Sequence, residues 1–265
     1  MDAAENQYAL VTGATSGIGY ELSRLFARDG YNLILVSRTA NELERIAYEL
    51  SSQNNVQVIP IAKDLFEPDA PAELYREITE RGITVNILVN DAGQGVYGNF
   101  IETDIQRQLQ IIQLNIASVT ALTYFFLKDM VARNEGKILQ LASIVSEVPA
   151  PLQAVYGGTK SYVLSFTQAL INEVKDTNVT ITALQPGVTD TDFFNKAGAQ
   201  DSKLAQEKNK MSDPADVAHD GYEALMKGNS KIVSGLKNKL QSVMSNVMPA
   251  SVLAEQMRKQ SEKAE

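Results

Sequence analysis

The sequence predicts an α/β fold, a single doubly wound parallel sheet of about seven strands with helices on both faces. Three observations lead there. Short apolar runs alternate with longer helical patterns along the chain. The runs are continuous Ile, Leu and Val rather than alternating apolar and polar, as in strands buried on both faces. Each run is followed by a turn and a helical stretch, the order that right-handed crossovers require.

The elements follow in order. Tyr8–Thr12 (YALVT) reads as the first strand, then a glycine-rich turn and a helix over Ile18–Asp29 that Gly30 can end. Asn32–Val36 (NLILV) is the second strand and Asn41–Leu50 the second helix. Val56–Ala62 is strand-like and Ala70–Arg81 helical; Val85–Val89 is a strand and Thr103–Arg133 a long helical stretch. Lys137–Leu141, Thr180–Leu184 and Lys231–Val233 complete the strands. No repeat or linker interrupts the pattern, so residues 1–265 are expected to form one domain. Within it, 191–212 is expected to be a lid and 236–265 a C-terminal helical extension. The tail is amphipathic, with Leu236, Leu240, Val243, Val247, Val252, Leu253 and Met257 on one stripe. Packing on its own body or a second subunit is favoured over a membrane surface.

Composition removes several chemistries. The 265 residues include no cysteine, no tryptophan and one histidine, His219. Thiolate metal sites, cysteine nucleophiles and three-histidine metal centres are therefore excluded, and no metal site is expected. A net charge of -8 disfavours nucleic-acid binding, which needs clustered cations. No G-x-S-x-G occurs to support a serine hydrolase. No apolar run of membrane length is read, and the start Met1–Gln7 is polar rather than a signal peptide, so the cytoplasm is expected. His219 follows the helix start Asp213-Pro214-Ala215-Asp216, away from the candidate motifs, and reads as structural.

Ligands in such sheets bind beyond the carboxyl ends of the strands, so motifs placed just after strands carry most weight. Thr12-Gly13-Ala14-Thr15-Ser16-Gly17-Ile18-Gly19 follows the first strand and opens a helix. Its glycines allow a sharp turn and close approach of a pyrophosphate to the helix N-terminus. It is not a Walker A loop, because no Gly-Lys-[Ser/Thr] is present. A carboxylate at the end of the second strand would bind the ribose 2′-hydroxyl of NAD; Ser37-Arg38 stands there instead and suits the 2′-phosphate of NADP. The missing carboxylate also counts against an S-adenosylmethionine enzyme.

At this point the chain resembles a short-chain dehydrogenase/reductase, from Tyr8 to about Gly235. The cofactor loop stands as Thr12–Gly19 and the adenine-pocket pair as Asp64-Leu65. Asn90-Asp91-Ala92-Gly93 matches the family's Asn-Asn-Ala-Gly except at Asp91. Asn115, Ser143 and Tyr156-x-x-x-Lys160 match the catalytic set, and Pro186-Gly187 the turn after the sixth strand. The stretch around Leu35–Arg38, with the tail, resembles a branch of hydroxysteroid and 3-oxoacyl reductases. The resemblance implies a Rossmann-type fold and hydride transfer between NADP(H), favoured over NAD(H), and a small carbonyl or alcohol substrate. It implies cofactor contacts from Gly13, Thr15, Ser16, Gly17, Ile18, Gly19, Ser37, Arg38, Asp64, Leu65, Asn90, Ala92, Gly93, Tyr156, Lys160, Pro186, Gly187, Val188, Thr189 and Thr191. It also implies a homodimer or homotetramer.

In the chemistry so implied, Tyr156 exchanges a proton with the substrate oxygen and Ser143 holds that oxygen. Lys160 binds the nicotinamide ribose, and Asn115 holds a water linking Lys160 to solvent. Tyr156 and Lys160 lie four apart and share a helix face. A neighbouring ammonium is expected to lower the tyrosine pKa from about 10. Gln94, Val145, Gln153, Phe193 and Phe194 are candidates for an apolar substrate pocket. Gly157-Gly158 is costly inside a helix and suggests close approach of cofactor or a neighbouring helix. Two other classes remain open, a non-catalytic dinucleotide-binding regulator and a lyase or epimerase using the same acid–base pair.

Overall fold

The computed structural model describes residues 6–235, 238, 239 and 248–263. Among them, seven strands form one parallel sheet: β1 (Tyr8–Thr12), β2 (Asn32–Ser37), β3 (Val58–Ala62), β4 (Val85–Asn90), β5 (Gly136–Leu141), β6 (Val179–Gln185) and β7 (Lys231–Val233). Their order across the sheet is β3-β2-β1-β4-β5-β6-β7. The chain runs outward from β1 to β3 and then returns to the other side of β1 at β4. That reversal opens a crevice above the carboxyl ends of β1 and β4.

The helices are α1 (Gly17–Arg28), α2 (Ala40–Asn54), α3 (Ala70–Glu80), α4 (Ile105–Ile112), α5 (Val119–Ala132) and α6 (Ala154–Glu173). After β6 come α7 (Phe193–Ala197), α8 (Lys203–Gln206), α9 (Pro214–Met226) and α10 (Ala250–Ser261). Successive strand residues point to opposite faces, so each strand feeds two cores. Ala9, Val11, Leu33 and Leu35 meet Leu22 and Phe26 of α1, Leu43 and Ile46 of α2, and Tyr222 and Leu225 of α9. Leu10, Ile34, Val36 and Leu88 meet Leu74 and Ile78 of α3 and Leu122, Phe126 and Met130 of α5. Burial on both faces is why the strand sequences read as unbroken apolar runs, and each such Leu or Ile contributes about 1.5–3 kcal/mol.

Three local departures from the sequence reading have physical causes. Strand β3 starts at Val58 rather than Val56, because Asn55 ends α2 in the left-handed conformation (φ 55°). The stretch read as one helix over Thr103–Arg133 is α4, a π-helical turn at Gln113–Ser118 and α5. Asp104 caps α4 by accepting the Gln106 N–H at 2.9 Å, which sets the start two residues later than Thr103. The run Ile105–Ala132 has, by length and hydropathy, what a membrane span needs, contrary to the expectation from sequence. Here it lies along the sheet, with Phe126 and Met130 inside the core. Of the tail stripe, Leu236, Leu240, Val243 and Val247 fall outside the described residues. Met257 in α10 is buried and Val252 is exposed.

Candidate active site

The glycine turn after β1 is shaped by backbone that side chains could not follow. Gly13 and Gly17 sit at φ +73° and +58°, in the left-handed region. A Cβ on Gly19 would stand 2.6 Å from both Asp91 Oδ2 and the Gly13 carbonyl oxygen. Ser16, at the N-cap of α1, makes no side-chain cap. The leading N–H groups of α1 therefore face the crevice, except that of Gly19, which hydrogen-bonds Asp91. Thr12 locks the turn to the next strand: its Oγ1 donates to the Val89 carbonyl (3.2 Å) and accepts from the N–H of Asp91 and Ala92 (both 3.1 Å).

At the end of β2, Ser37 is half-buried and Arg38 exposed beside the cleft. The Arg38 guanidinium lies 5.2 Å from the Phe66 ring centroid, and Arg107 from α4 lies 4.9 Å from the same ring. Burial, then the Arg38 charge, lowers the Arg107 pKa, and Arg107 donates to Gln94 Oε1. Two cations sharing one aromatic ring suit a dianion at this edge. Asp64 accepts the Phe66 N–H at 3.1 Å, and Leu65 is buried with its carbonyl bound by Ser118 Oγ at 2.6 Å. The sequence reading missed Phe66 and Arg107. Phe66 directly follows the Asp64-Leu65 pair and was visible there; Arg107 arrives from a helix with no motif.

Beyond β5, Ser143 caps a short turn. Its Oγ accepts the Val145 N–H at 3.3 Å, and Ser146 Oγ accepts the Ser143 N–H at 3.1 Å. One lone pair is thereby occupied and the hydroxyl proton is free for Tyr156, which Ser143 hydrogen-bonds. Lys160 is buried; its Nζ donates to the Leu141 carbonyl at 2.6 Å and stands 5.8 Å from the Tyr156 ring centroid. Burial, with a smaller contribution from the Asp91 charge, pushes the Tyr156 pKa up to about 12, against the Ser143 hydrogen bond that lowers it. The expected lowering by the Lys160 ammonium is not found: with Lys160 pulled down to about 8, its charge is gone before the phenol titrates. Lys160 itself is pulled down to about 8 by burial, against the raising influence of Asp91.

Asn115 sits within the π-helical turn and is buried. Its Oδ1 accepts the Gln94 N–H at 3.1 Å, and its Nδ2 donates to the Gln94 carbonyl at 2.9 Å and to Thr159 Oγ1 at 3.0 Å. The amide thus clamps the loop after β4 to α6 at Thr159, within the Tyr156–Lys160 turn. A π-turn inside a helix often marks a functional position.

These groups converge on one cleft of about 1320 Å³. Most residues expected at the cofactor site line it: Gly13, Thr15, Ser16, Gly17, Ile18, Ser37, Arg38, Asp64, Leu65, Ala92, Gly93, Tyr156, Pro186, Gly187, Val188, Thr189 and Thr191, with Ser143. Gly19, Asn90, Asn115 and Lys160 stand behind the wall. Asn90 is the clearest correction: it is buried, and its Nδ2 donates to Thr123 Oγ1 (3.1 Å) and Gln140 Oε1 (3.0 Å), so it braces β4 and β5. Gly157 packs against Ala150, where a Cβ would lie 2.7 Å from that methyl; Gly158 meets nothing within 4 Å and no contact accounts for it.

On the remaining wall, the Phe193 ring packs on Tyr156 at 4.9 Å between centroids and on Phe194 at 5.7 Å. Gln94, Val145 and Gln153 line the same side, and Gln153 Nε2 is a buried donor with no partner. Leu204 of α8, within the segment expected as a lid, joins them; the sequence reading did not place Met257 and Ser261 of α10 there, yet they complete the wall. Tyr97 donates its hydroxyl to the Ser261 carbonyl at 2.6 Å, and the Lys203 N–H bonds the Glu262 carbonyl at 2.9 Å. At its base, the segment between β6 and α9 is pinned where Thr189 and Ser212 pair.

Known proteins share this arrangement. The family model described as "short chain dehydrogenase" matches residues 7–202. A very-long-chain 3-oxoacyl-CoA reductase from Mycosarcoma maydis is 34% identical over 186 residues, 69% of this chain and 53% of that protein. The chain thus spans about half the length of that relative. A short-chain dehydrogenase from Sphingobium yanoikuyae, solved with NADPH, superposes with a TM-score of 0.81 at 25% identity, covering 92% of this chain and 97% of the other. A Burkholderia phymatum structure with NAD shares the fold, with a TM-score of 0.81 at 21% identity over 92% and 94% of the chains. With motif order, sheet order and family match in agreement, this chain belongs to the short-chain dehydrogenase/reductase family of oxidoreductases.

Proposed function

We propose that this protein is an NADP(H)-dependent oxidoreductase that interconverts a carbonyl and an alcohol on a small, mainly apolar substrate. The observation that carries this reading is the convergence of Ser143 and Tyr156 in one cleft with the glycine turn, with Lys160 directly behind them. The chain's own residues fit a dinucleotide. The glycine turn packs so closely on Asp91, Ala92 and Thr191 that side chains on Gly13, Gly17 and Gly19 would clash, Ser16 leaves the leading N–H groups of α1 without a side-chain cap, and Arg38 beside the cleft supports a 2′-phosphate. When bound, the nicotinamide supplies or accepts the hydride.

The protein's share is orientation and proton handling. Ser143 holds the substrate oxygen by turning to it the hydroxyl proton that it otherwise gives Tyr156. Tyr156 donates its proton to that oxygen in reduction and withdraws it in oxidation. A tyrosine held near 12 is mostly protonated, which suits the reductive direction. Lys160 and Asn115 set the position of that helix turn. Phe193 and Phe194 cover the site from above, and the segment 191–212 acts as a lid on the neck at Thr189 and Ser212. NAD(H) is the second cofactor reading; Arg38 in place of a carboxylate disfavours it.

The assembly we infer is a homodimer or homotetramer in the cytoplasm, formed by one folding domain. Ile105, Leu109, Ile112 and Tyr124 are exposed apolar side chains along the α4–α5 run, which a second copy can cover. The deciding experiment is NADPH oxidation against steroids, 3-oxoacyl thioesters, quinones and aldehydes. Turnover of one class supports the reading. Tight NADPH binding with no turnover of any class favours a regulator, and turnover without net oxidation favours a lyase or epimerase.

A further inference from the structure

Asp91 occupies the position where the family pattern has an amide, and the structure gives it a distinctive setting. Its carboxyl reaches back from the end of β4 beneath the glycine turn. Oδ2 stands against Gly13 and Gly19, and the Gly19 N–H hydrogen-bonds the carboxyl. Asp91 thereby caps α1 from outside the helix, since Ser16 does not. Oδ1 is buried and has no partner. An amide here would offer the same acceptor without a charge; a carboxylate leaves a buried anion only half satisfied.

Among the described residues, the ionisable groups facing Asp91 come from two helices. Lys160 and Tyr156 approach from α6, and Lys196 from α7; the glycine turn contributes backbone and hydroxyls only. Burial pushes the Asp91 carboxyl up to about 7, with Lys160, the Gly19 N–H and Lys196 pulling against it. Neither lysine lies within ion-pair distance of it.

Two anions therefore compete for one helix N-terminus, the Asp91 carboxylate from below and a dinucleotide pyrophosphate from the cleft. We propose that Asp91 takes up a proton from solvent when the pyrophosphate settles on the glycine turn, so that the neutral acid stands in for an amide and cofactor binding is proton-linked. This rests on the dinucleotide reading above. The sign follows from linkage: binding favours the protonated carboxyl, so affinity is highest below pH 7 and falls as pH rises.

Fluorescence titration of NADPH, with NADH as the control lacking a titrating 2′-phosphate, tests this between pH 6 and pH 8. The dissociation constants of both dinucleotides should rise about tenfold over that range. Asp91→Asn should bind more tightly at pH 8 and lose most of the slope. Calorimetry at pH 7 in two buffers of different ionisation enthalpy should show uptake of about half a proton per dinucleotide in the unmodified protein. That measurement stands alone if the variant does not fold. A flat affinity with no proton uptake overturns the proposal, as does undiminished uptake in Asp91→Asn. Absence of dinucleotide binding at every pH overturns the functional reading beneath it, whereas binding without uptake overturns only the role of Asp91.

Discussion

The two ends of the cleft are built on different terms. The end under β1 and β2 is mostly backbone: left-handed glycines, a helix N-terminus without a cap from its own Ser16, and the Thr12 lock between strands. The other end is side chains drawn from widely separated stretches, with Tyr97, Phe193, Leu204 and Met257 meeting only in the folded molecule. A pyrophosphate is common to every reaction a dinucleotide serves, so backbone geometry can hold it without change. A substrate differs from one enzyme to the next, and side chains on loops and short helices can be exchanged without disturbing the sheet.

Substitutions at each end sharpen that contrast. The largest effect is expected at the junction. Tyr156→Phe should lower kcat by about 10²–10⁴-fold while NADPH titration gives nearly the unmodified affinity. An active variant would remove Tyr156 from proton transfer. Next, Arg38→Asp should cut the preference for NADPH over NADH by about 10–100-fold, the worth of a charged hydrogen bond or two. An unchanged ratio of dissociation constants would place the phosphate elsewhere.

Gly19→Ala tests how rigid the backbone end is. Its methyl would meet Asp91 and the Gly13 carbonyl at 2.6 Å, so a loss of about 1–3 kcal/mol in thermal unfolding is expected, with weaker NADPH binding. Unaltered stability would mean the turn can yield. The pH profile is a milder probe. Lys160, held near 8, is charged below that pH and neutral above it. The reductive kcat/KM should therefore be level below about pH 7 and fall above about pH 8. A rise with pH would contradict a need for the ammonium. The smallest effect belongs to the substrate end. Tyr97→Phe removes one hydrogen bond, about 0.5–1.5 kcal/mol, and should raise KM for substrate more than Kd for NADPH.

The same contrast explains what could be read before folding. Strands buried on both faces announce themselves as unbroken apolar runs, and glycine spacing records backbone shape directly, so the sheet and the pyrophosphate turn were visible in one dimension. Tyr156 and Lys160 were visible because a helix brings residues four apart onto one face. Asn90 was misplaced because a motif gives position along the chain but not which way a side chain faces across the sheet. The tyrosine shift was misjudged for a related reason: sequence distance shows that the ammonium is near but not how much water burial removes. Arg107 carries no local pattern, and Met257 reads only as part of an amphipathic tail; packing alone brings both to the site.

The hydroxyl of Tyr97 and the carbonyl of Ser261 meet across 164 residues of chain. In time, that separation is a delay. At ordinary translation rates Ser261 is made on the order of 10–30 s after Tyr97. The glycine turn and β4 are complete well before α10 exists, so a growing chain acquires its dinucleotide cradle first and its substrate wall last.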